Sequence, residues 1–105
     1  MEVVRTAAFE RAAKKLGAST EELDALERAI AADPDVGDVI KGLGGARKIR
    51  FAMKGKGKRG GGRAIYVVIR VRDAAYLLIA YSKGDQVEIS NTQRAAILAF
   101  VESFK

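Results

Sequence analysis

The hydrophobic pattern predicts two helices in the first third of the chain. The first helix has an apolar face, formed by Phe9, Ala12, Ala13 and Leu16. We expect it to end at Gly17, because glycine readily adopts the left-handed conformation that closes a helix. A capping box at Ser19 and Glu22 opens the second helix, which the proline of Asp33-Pro34 ends. The segment "VVRTAA", just before the first helix, is predicted to be a short strand.

The period of the pattern changes after Gly42. In "ARKIRFAM", apolar Ile49 and Phe51 alternate with cationic Lys48 and Arg50, which predicts a strand with one apolar and one cationic face. Two further runs, "RAIYVVIRVR" and "AYLLIAYSK", are rich in β-branched and aromatic residues and lie beyond a glycine-rich turn. The three runs predict an antiparallel meander.

A third helix is predicted to close the chain. It opens with a capping box at Ser90 and Gln93, and its apolar stripe consists of Ile97, Phe100, Val101 and Phe104. We expect this helix to dock at the edge of the sheet. The complete pattern predicts one α+β domain over residues 1–105, with two N-terminal helices packed on a roughly four-stranded antiparallel sheet and a C-terminal helix.

Composition excludes several kinds of chemistry. The 105 residues include no cysteine and no histidine, which excludes disulfides, thiolate nucleophiles, histidine-based zinc sites and Ser-His triads. The longest uninterrupted apolar run is Ala74 to Tyr81, far below the roughly 18 residues that a membrane span needs. We therefore expect a cytoplasmic protein with no membrane partner.

The positive charge of the chain is local. The net charge is +6, yet the segment from Lys41 to Arg72 holds eleven basic residues and no acidic one, while the rest of the chain holds eight basic and thirteen acidic residues. An ordinary surface mixes both signs, because a block of one sign repels itself and destabilises the folded state. A polyanionic partner would explain such a block.

The glycine-rich segment "GKGKRG" matches the G-x-G-x-x-G motif of dinucleotide-binding proteins literally. That motif must follow a strand and open a helix, whereas here a second strand follows, so we interpret the match as fortuitous. A hairpin tip kept soluble by lysines is a competing interpretation of the segment. It does not explain why cations also occupy the strands on both sides.

Lys48 and Arg50 have the same strand parity and share one face of the sheet, and hairpin pairing can bring Arg63 beside them. Each cation that contacts a phosphate adds salt-dependent affinity, so nucleic acid is the expected partner. We reject DNA binding through a helix-turn-helix, because the second helix is acidic and would repel the DNA phosphates. We also reject binding to a membrane surface, because that role needs a basic amphipathic helix and the cations here lie on strands and a loop.

In its ordered series "GLGGARKIR…GKGKRGGGRAIYVVI…LLIAYSK", the sequence resembles the RelE/ParE superfamily of bacterial type II toxins, in particular the HigB-like branch of the RelE toxins. The resemblance implies a RelE-like fold and cleavage of messenger RNA, usually in the ribosomal A site. It also implies a cognate antitoxin, often of helix-turn-helix type. The 70S ribosome and messenger RNA are the other implied partners, and no cofactor or small-molecule ligand is implied.

The resemblance also implies catalytic positions, which are Lys48, Arg50, Arg63 and Lys83, with Tyr81 as the candidate tyrosine. RNA carries its own nucleophile in the 2′-hydroxyl, so no metal is needed. A lysine crowded by cations gives up its proton more readily, and Lys48 is the predicted general base. Arginines suit stabilisation of the phosphorane-like charge, and Lys83 or Tyr81 would be the acid. The predicted RNA- or ribosome-binding residues are Arg47, Lys54, Lys56, Lys58 and Arg59.

Two alternatives remain open from the sequence. A ParE-type toxin shares the fold but inhibits DNA gyrase and cuts no RNA. The second alternative is a non-catalytic RNA-binding module, or a decayed toxin that retains its antitoxin contact. Such a protein would have the basic residues but would not cleave RNA. The paired cations of the second predicted strand favour RNA cleavage over the ParE alternative.

Overall fold

A computed structural model of the chain describes residues 1–54 and 61–105. The elements in chain order are β1 (Glu2–Arg5), α1 (Ala7–Leu16), α2 (Thr20–Ala32), β2 (Asp38–Val39), β3 (Arg47–Phe51), β4 (Gly62–Ile69), a 3₁₀ turn (Arg70–Arg72), β5 (Ala74–Ser82) and α3 (Asn91–Glu102). No helix among the described residues is long and apolar enough to span a membrane.

The strands form one five-stranded sheet in the order β1-β5-β4-β3-β2. The predicted meander is confirmed, since β3 pairs antiparallel with β4 and β4 with β5. The prediction of a roughly four-stranded, antiparallel sheet needs correction. A two-residue strand, β2, extends one edge, and β1 pairs in parallel with β5 at the other. The parallel pair arises because α1 and α2 lie between β1 and the meander in the chain.

The predicted helix boundaries are confirmed by the capping contacts. Both halves of the capping box form at Ser19 of α2 and at Ser90 of α3. Gly17 closes α1 with a φ of 87°. The sequence prediction did not identify Thr6, whose hydroxyl caps α1 by accepting a hydrogen bond from the Phe9 N–H at 3.2 Å. That cap ends the first strand at Arg5, earlier than the predicted segment.

The first face of the sheet is covered by α1 and α2, as predicted. Phe9, Leu26 and Ile30 of the two helices are buried against Tyr66 of β4 and Leu77 of β5. Burial of large apolar side chains on this scale is the main source of folding free energy, at about 1.5–3 kcal/mol for each residue fully removed from water.

The second face of the sheet is covered by α3, which therefore does not lie at the sheet edge as the sequence suggested. Ile97 of α3 is buried in a second cluster with Ile65 and Val67 of β4. The central strands β4 and β5 carry apolar side chains on both faces. Both faces must therefore be covered from water, and α3 covers the second. Gly44, at a φ of +62°, permits the approach of α3, since a Cβ there would lie 3.1 Å from the Val101 side chain.

Candidate active site

Strand register brings the predicted cations of the meander onto one face. Arg50 of β3 lies directly opposite Arg63 of β4, and Arg63 lies directly opposite Tyr81 of β5. Lys48 is two residues from Arg50 on the same strand and pairs with Ile65, so it shares that face. All four side chains belong to the second face, beyond the part that α3 covers.

These residues line a cleft of about 390 Å³ at that end of the sheet. Its lining residues are Val36, Asp38, Lys48, Ile49, Arg50, Arg63, Tyr81, Lys83 and Val87. The structure thus brings together all five residues predicted to be catalytic. Lys48, Arg50 and Lys83 are exposed, whereas Arg63 and Tyr81 are 8% and 4% exposed. Exposed cations therefore surround a pair of buried polar groups.

Arg63 is a charged side chain held within the sheet. Its Nη1 donates a hydrogen bond to the backbone carbonyl of Gly62 at 3.3 Å. A guanidinium remains protonated even when buried and presents several donors in one plane. Arg63 can therefore supply a preorganised positive charge without the loss of side-chain entropy that an exposed lysine would incur.

Tyr81 is a phenol whose pKa is raised above its ordinary value. Burial is the main cause, because it disfavours the phenolate, and the nearby positive charge of Arg63 acts in the opposite direction. Tyr81 therefore remains protonated at neutral pH. A protonated hydroxyl beside an arginine can donate a hydrogen bond or a proton to a phosphate ester oxygen.

A β-bulge in β5 determines which face receives Tyr81. Residue partners shift between Ile65 and Tyr66 of β4, which pair with Ile79 and Leu77, so that Leu78 is an additional residue. Leu77 lies on the first face, and simple alternation would have directed residue 81 to the same face. The additional residue reverses the alternation, and Tyr81 joins Arg63 on the second face instead.

Arg47 is separated from the cleft although the sequence grouped it with the RNA-binding residues. It pairs with Tyr66 and lies on the first face. Its Nη1 donates hydrogen bonds to the carbonyls of Gly37 at 2.7 Å and Asp35 at 3.1 Å, and its Nη2 lies 3.2 Å from the Asp35 carboxylate. Through these contacts Arg47 anchors the segment leading into β2.

The same segment is held from the first face by Tyr66. The N–H of Gly37 donates to the Tyr66 hydroxyl at 2.9 Å, and that hydroxyl donates to the Pro34 carbonyl at 2.7 Å. Only glycine fits at position 37, because a Cβ there would lie 2.9 Å from the Tyr66 ring. Burial raises the pKa of Tyr66, and the Gly37 hydrogen bond acts in the opposite direction. Tyr66 and Arg47 together form what we call the Gly37 clamp.

The remaining predicted RNA-binding residues lie around the glycine-rich segment. Lys54 is exposed, and its backbone N–H donates a hydrogen bond to Glu22 Oε2 at 2.6 Å. This hydrogen bond connects the segment that follows β3 to the first turn of α2. Hydrogen bonds from the Ser19 and Lys54 backbones lower the pKa of Glu22. Lys56, Lys58 and Arg59, with the G-x-G-x-x-G match, lie outside the described residues.

Four residues of the cleft were not predicted to belong to it, namely Val36, Asp38, Ile49 and Val87. Val36 and Asp38 flank the clamped Gly37, and a two-residue strand carries too little pattern to identify. Val87 follows β5 in a segment without periodicity. The strand pairing of Asp38 with Lys48 is the structural feature that brings the first two residues to the cationic face.

A larger cleft of about 620 Å³ lies between α2 and the end of β3. Its lining includes Glu21 and Glu22 as well as Arg28, Arg50 and Lys54. Carboxylates at this position oppose phosphate binding, and the smaller cleft gathers more cations with fewer acids. Size alone therefore does not identify the site.

Comparison with known proteins agrees with the fold. A family model described as the RelE toxin of the RelE/RelB toxin–antitoxin system matches residues 1–104. A solved structure of an E. coli RelE toxin mutant in the free state matches with a TM-score of 0.56 and 15% sequence identity, covering 82% of this chain and 86% of that chain. At this identity, the structural match establishes the fold.

The fold and the family match define a small α+β toxin of a toxin–antitoxin system. The chain belongs to the RelE toxin family, which confirms the resemblance drawn from the glycine and basic motifs. An antitoxin is the partner that this membership implies. Assignment to the HigB-like branch remains a prediction.

Proposed function

We propose that this chain is an endoribonuclease that cleaves messenger RNA in the ribosomal A site and so halts translation in the cytoplasm. The observation that carries the proposal is the cleft in which Lys48, Arg50, Arg63, Tyr81 and Lys83 meet. Positive charge and proton-transferring groups placed together are suited to the cleavage of a phosphate ester. Family membership supports the toxin role independently of the cleft.

The proposed reaction begins with the ribose of the substrate. Lys48, in its neutral form, accepts the proton of the 2′-hydroxyl, and the 2′-oxygen attacks the adjacent phosphorus. Arg50 and Arg63 stabilise the additional negative charge of the phosphorane-like transition state, because their planar donors match phosphate oxygens. The bond from phosphorus to the 5′-oxygen then breaks, which yields a 2′,3′-cyclic phosphate and a 5′-hydroxyl end.

Tyr81 is our choice for the acid that protonates the departing 5′-oxygen. Its burial keeps the phenol protonated, and it lies directly opposite Arg63 in the strand register. Lys83 is exposed at the same cleft and suits a role in binding the phosphate that follows. Lys54, Lys56, Lys58 and Arg59 would contact phosphates of messenger or ribosomal RNA without reading sequence.

The antitoxin of this system is proposed to be of helix-turn-helix type, as the sequence resemblance implies. Neutralisation requires only that the antitoxin cover the cleft or prevent entry into the ribosome. An acidic antitoxin segment would be favoured at the cleft, because four of its lining residues are cationic.

The test is a translating lysate in which the 5′ ends of messages are mapped after addition of the protein. We expect new in-frame breaks with 5′-hydroxyl ends, and loss of these breaks with Lys48→Ala, by about 10²–10⁴-fold for removal of a general base. Lys15→Ala is the matched control, because Lys15 is an exposed lysine of α1, outside the cleft.

The same reactions separate the alternatives. Parallel assays on purified messenger RNA, with and without ribosomes, measure ribosome dependence. Intact messages accompanied by trapped gyrase–DNA complexes would replace the proposal with a ParE-type activity. Full cleavage by Lys48→Ala would remove Lys48 from the role of general base.

A further inference from the structure

The cationic cleft contains one carboxylate that the proposed chemistry does not use. Asp38 of β2 lines the cleft and lies directly opposite Lys48 in the β2–β3 pairing. Residues that are directly opposite in an antiparallel pair project from the same face. A carboxylate repels phosphate, so Asp38 weakens the binding of a polyanion unless it contacts another part of that substrate.

The backbone that carries Asp38 is fixed by the Gly37 clamp. Gly37 donates to the Tyr66 hydroxyl and accepts from Arg47, at 2.9 and 2.7 Å. The Asp38 side chain itself is exposed, and no hydrogen bond or ion pair joins its carboxylate to another residue in the described parts of the chain. The clamp therefore fixes the backbone at Asp38 and leaves both carboxylate oxygens available to accept hydrogen bonds from a ligand.

Two exposed apolar side chains line the same cleft as this carboxylate. Val36 and Val87 line the same cleft and are 44% and 77% exposed. Exposed valines at the mouth of a charged cleft can pack against the apolar faces of a ribose or a base. The cleft therefore offers cations for phosphate, apolar contacts for a ring and one acceptor for its edge.

We propose that Asp38 determines specificity by accepting a hydrogen bond from the exocyclic amino group of a base next to the bound phosphate. This inference rests on the proposed ribonuclease function. Cytosine, adenine and guanine each present an amino group on the edge that single-stranded RNA exposes. Uracil has no amino group: the one donor on that edge is its N3–H, which lies between two carbonyl oxygens that repel a carboxylate. The site therefore selects amino-bearing bases over uracil at one position.

A different role for Asp38 makes a different prediction. If the carboxylate acted only on Lys48, directly opposite, its removal would change cleavage at all sites by the same factor. Selection of a base instead changes the ratio between sites. The ratio is therefore the quantity to measure.

The first experiment maps breaks made in a translation reaction by the wild-type protein and by Asp38→Asn. At one position beside the break, we expect the preference for amino-bearing bases over uracil to fall about tenfold in the variant, the range associated with one base-reading contact. Asp73→Asn is the matched control. It removes the same charge at the β4–β5 turn, and asparagine tolerates the positive φ of 49° found there.

The second experiment measures binding without cleavage. Short 2′-O-methyl oligomers of cytidine and of uridine lack the nucleophile, and their affinities are compared by fluorescence anisotropy. We expect the wild-type protein to prefer the cytidine oligomer about tenfold and Asp38→Asn to bind both nearly equally.

The two experiments distinguish failure of this inference from failure of the proposed function. A wild-type protein that prefers the cytidine oligomer but cleaves no message contradicts the ribonuclease proposal and supports base selection. Cleavage by both proteins with unchanged ratios overturns the role of Asp38. A uniform loss of cleavage in Asp38→Asn, with unchanged binding ratios, also overturns it and assigns the residue to the chemistry.

Discussion

The two faces of the sheet use the same central strands in different ways. On the first face, side chains of β4 and β5 are sealed beneath α1 and α2 along their length. On the second face, α3 covers Ile65 and Val67, but two residues before Ile65 the strand presents Arg63 to an open cleft. The comparison teaches that the first face is used for packing, while the second face combines packing beneath α3 with a cleft in which like charges repel one another.

Truncation of the first face is expected to have the largest effect. Phe9 is fully buried between α1 and the sheet, and Phe9→Ala should lower the free energy of unfolding by about 3–5 kcal/mol. Denaturant titration measures this loss. If the faces are separate in function, the fraction that remains folded at low temperature keeps the wild-type cleavage rate. A folded variant that is inactive would show that the two faces are coupled.

Truncation of the second face should give the opposite pattern. We expect Arg63→Ala to reduce cleavage by about 10²–10³-fold, the loss typical for one preorganised donor to a transition state. Thermal unfolding should be unchanged or shifted upward, because one of several crowded cations is removed. Arg63→Lys retains charge without the planar donor fork and should be intermediate. A variant that both unfolds and loses activity would make Arg63 a structural residue.

The smallest effect is expected at Glu22, which joins the N-terminus of α2 to the Lys54 backbone. Its pKa is lowered in the folded state, so its charge contributes stability above the ordinary glutamate pKa of about 4.3 and loses that contribution as pH falls through the folded value. Glu22→Gln keeps a capping-box residue and should be slightly less stable at neutral pH, with the difference vanishing in acid. An equal difference at both pH values would indicate a loss unrelated to charge.

The sequence pattern correctly predicted the features that depend on interactions between residues close together in the chain. The capping residues at Ser19 and Ser90, the stop at Gly17 and the alternation around Lys48 all act within a few residues, and each is found in the structure. The shared face of Lys48 and Arg50 followed from strand parity, and hairpin pairing was expected to bring Arg63 beside them. Their roles in catalysis remain predictions.

Long-range geometry could not be predicted in the same way. Parallel pairing of β1 with β5 joins residues more than 70 positions apart and rests on four strand residues. The side of the sheet that α3 covers depends on both faces of β4 being apolar, which a helix stripe by itself does not specify. The contacts of Arg47 could not be predicted because they involve backbone carbonyls of Asp35 and Gly37, which the sequence pattern does not reveal.

The additional residue at Leu78 has a consequence for comparing this chain with its relatives. A gapless alignment through β5 with a relative whose strand has no such insertion would match Tyr81 to a side chain buried beneath the helices. Searches for an equivalent hydroxyl should therefore allow an offset of one position. A shift in numbering, rather than a change in chemistry, could then account for an apparently missing tyrosine.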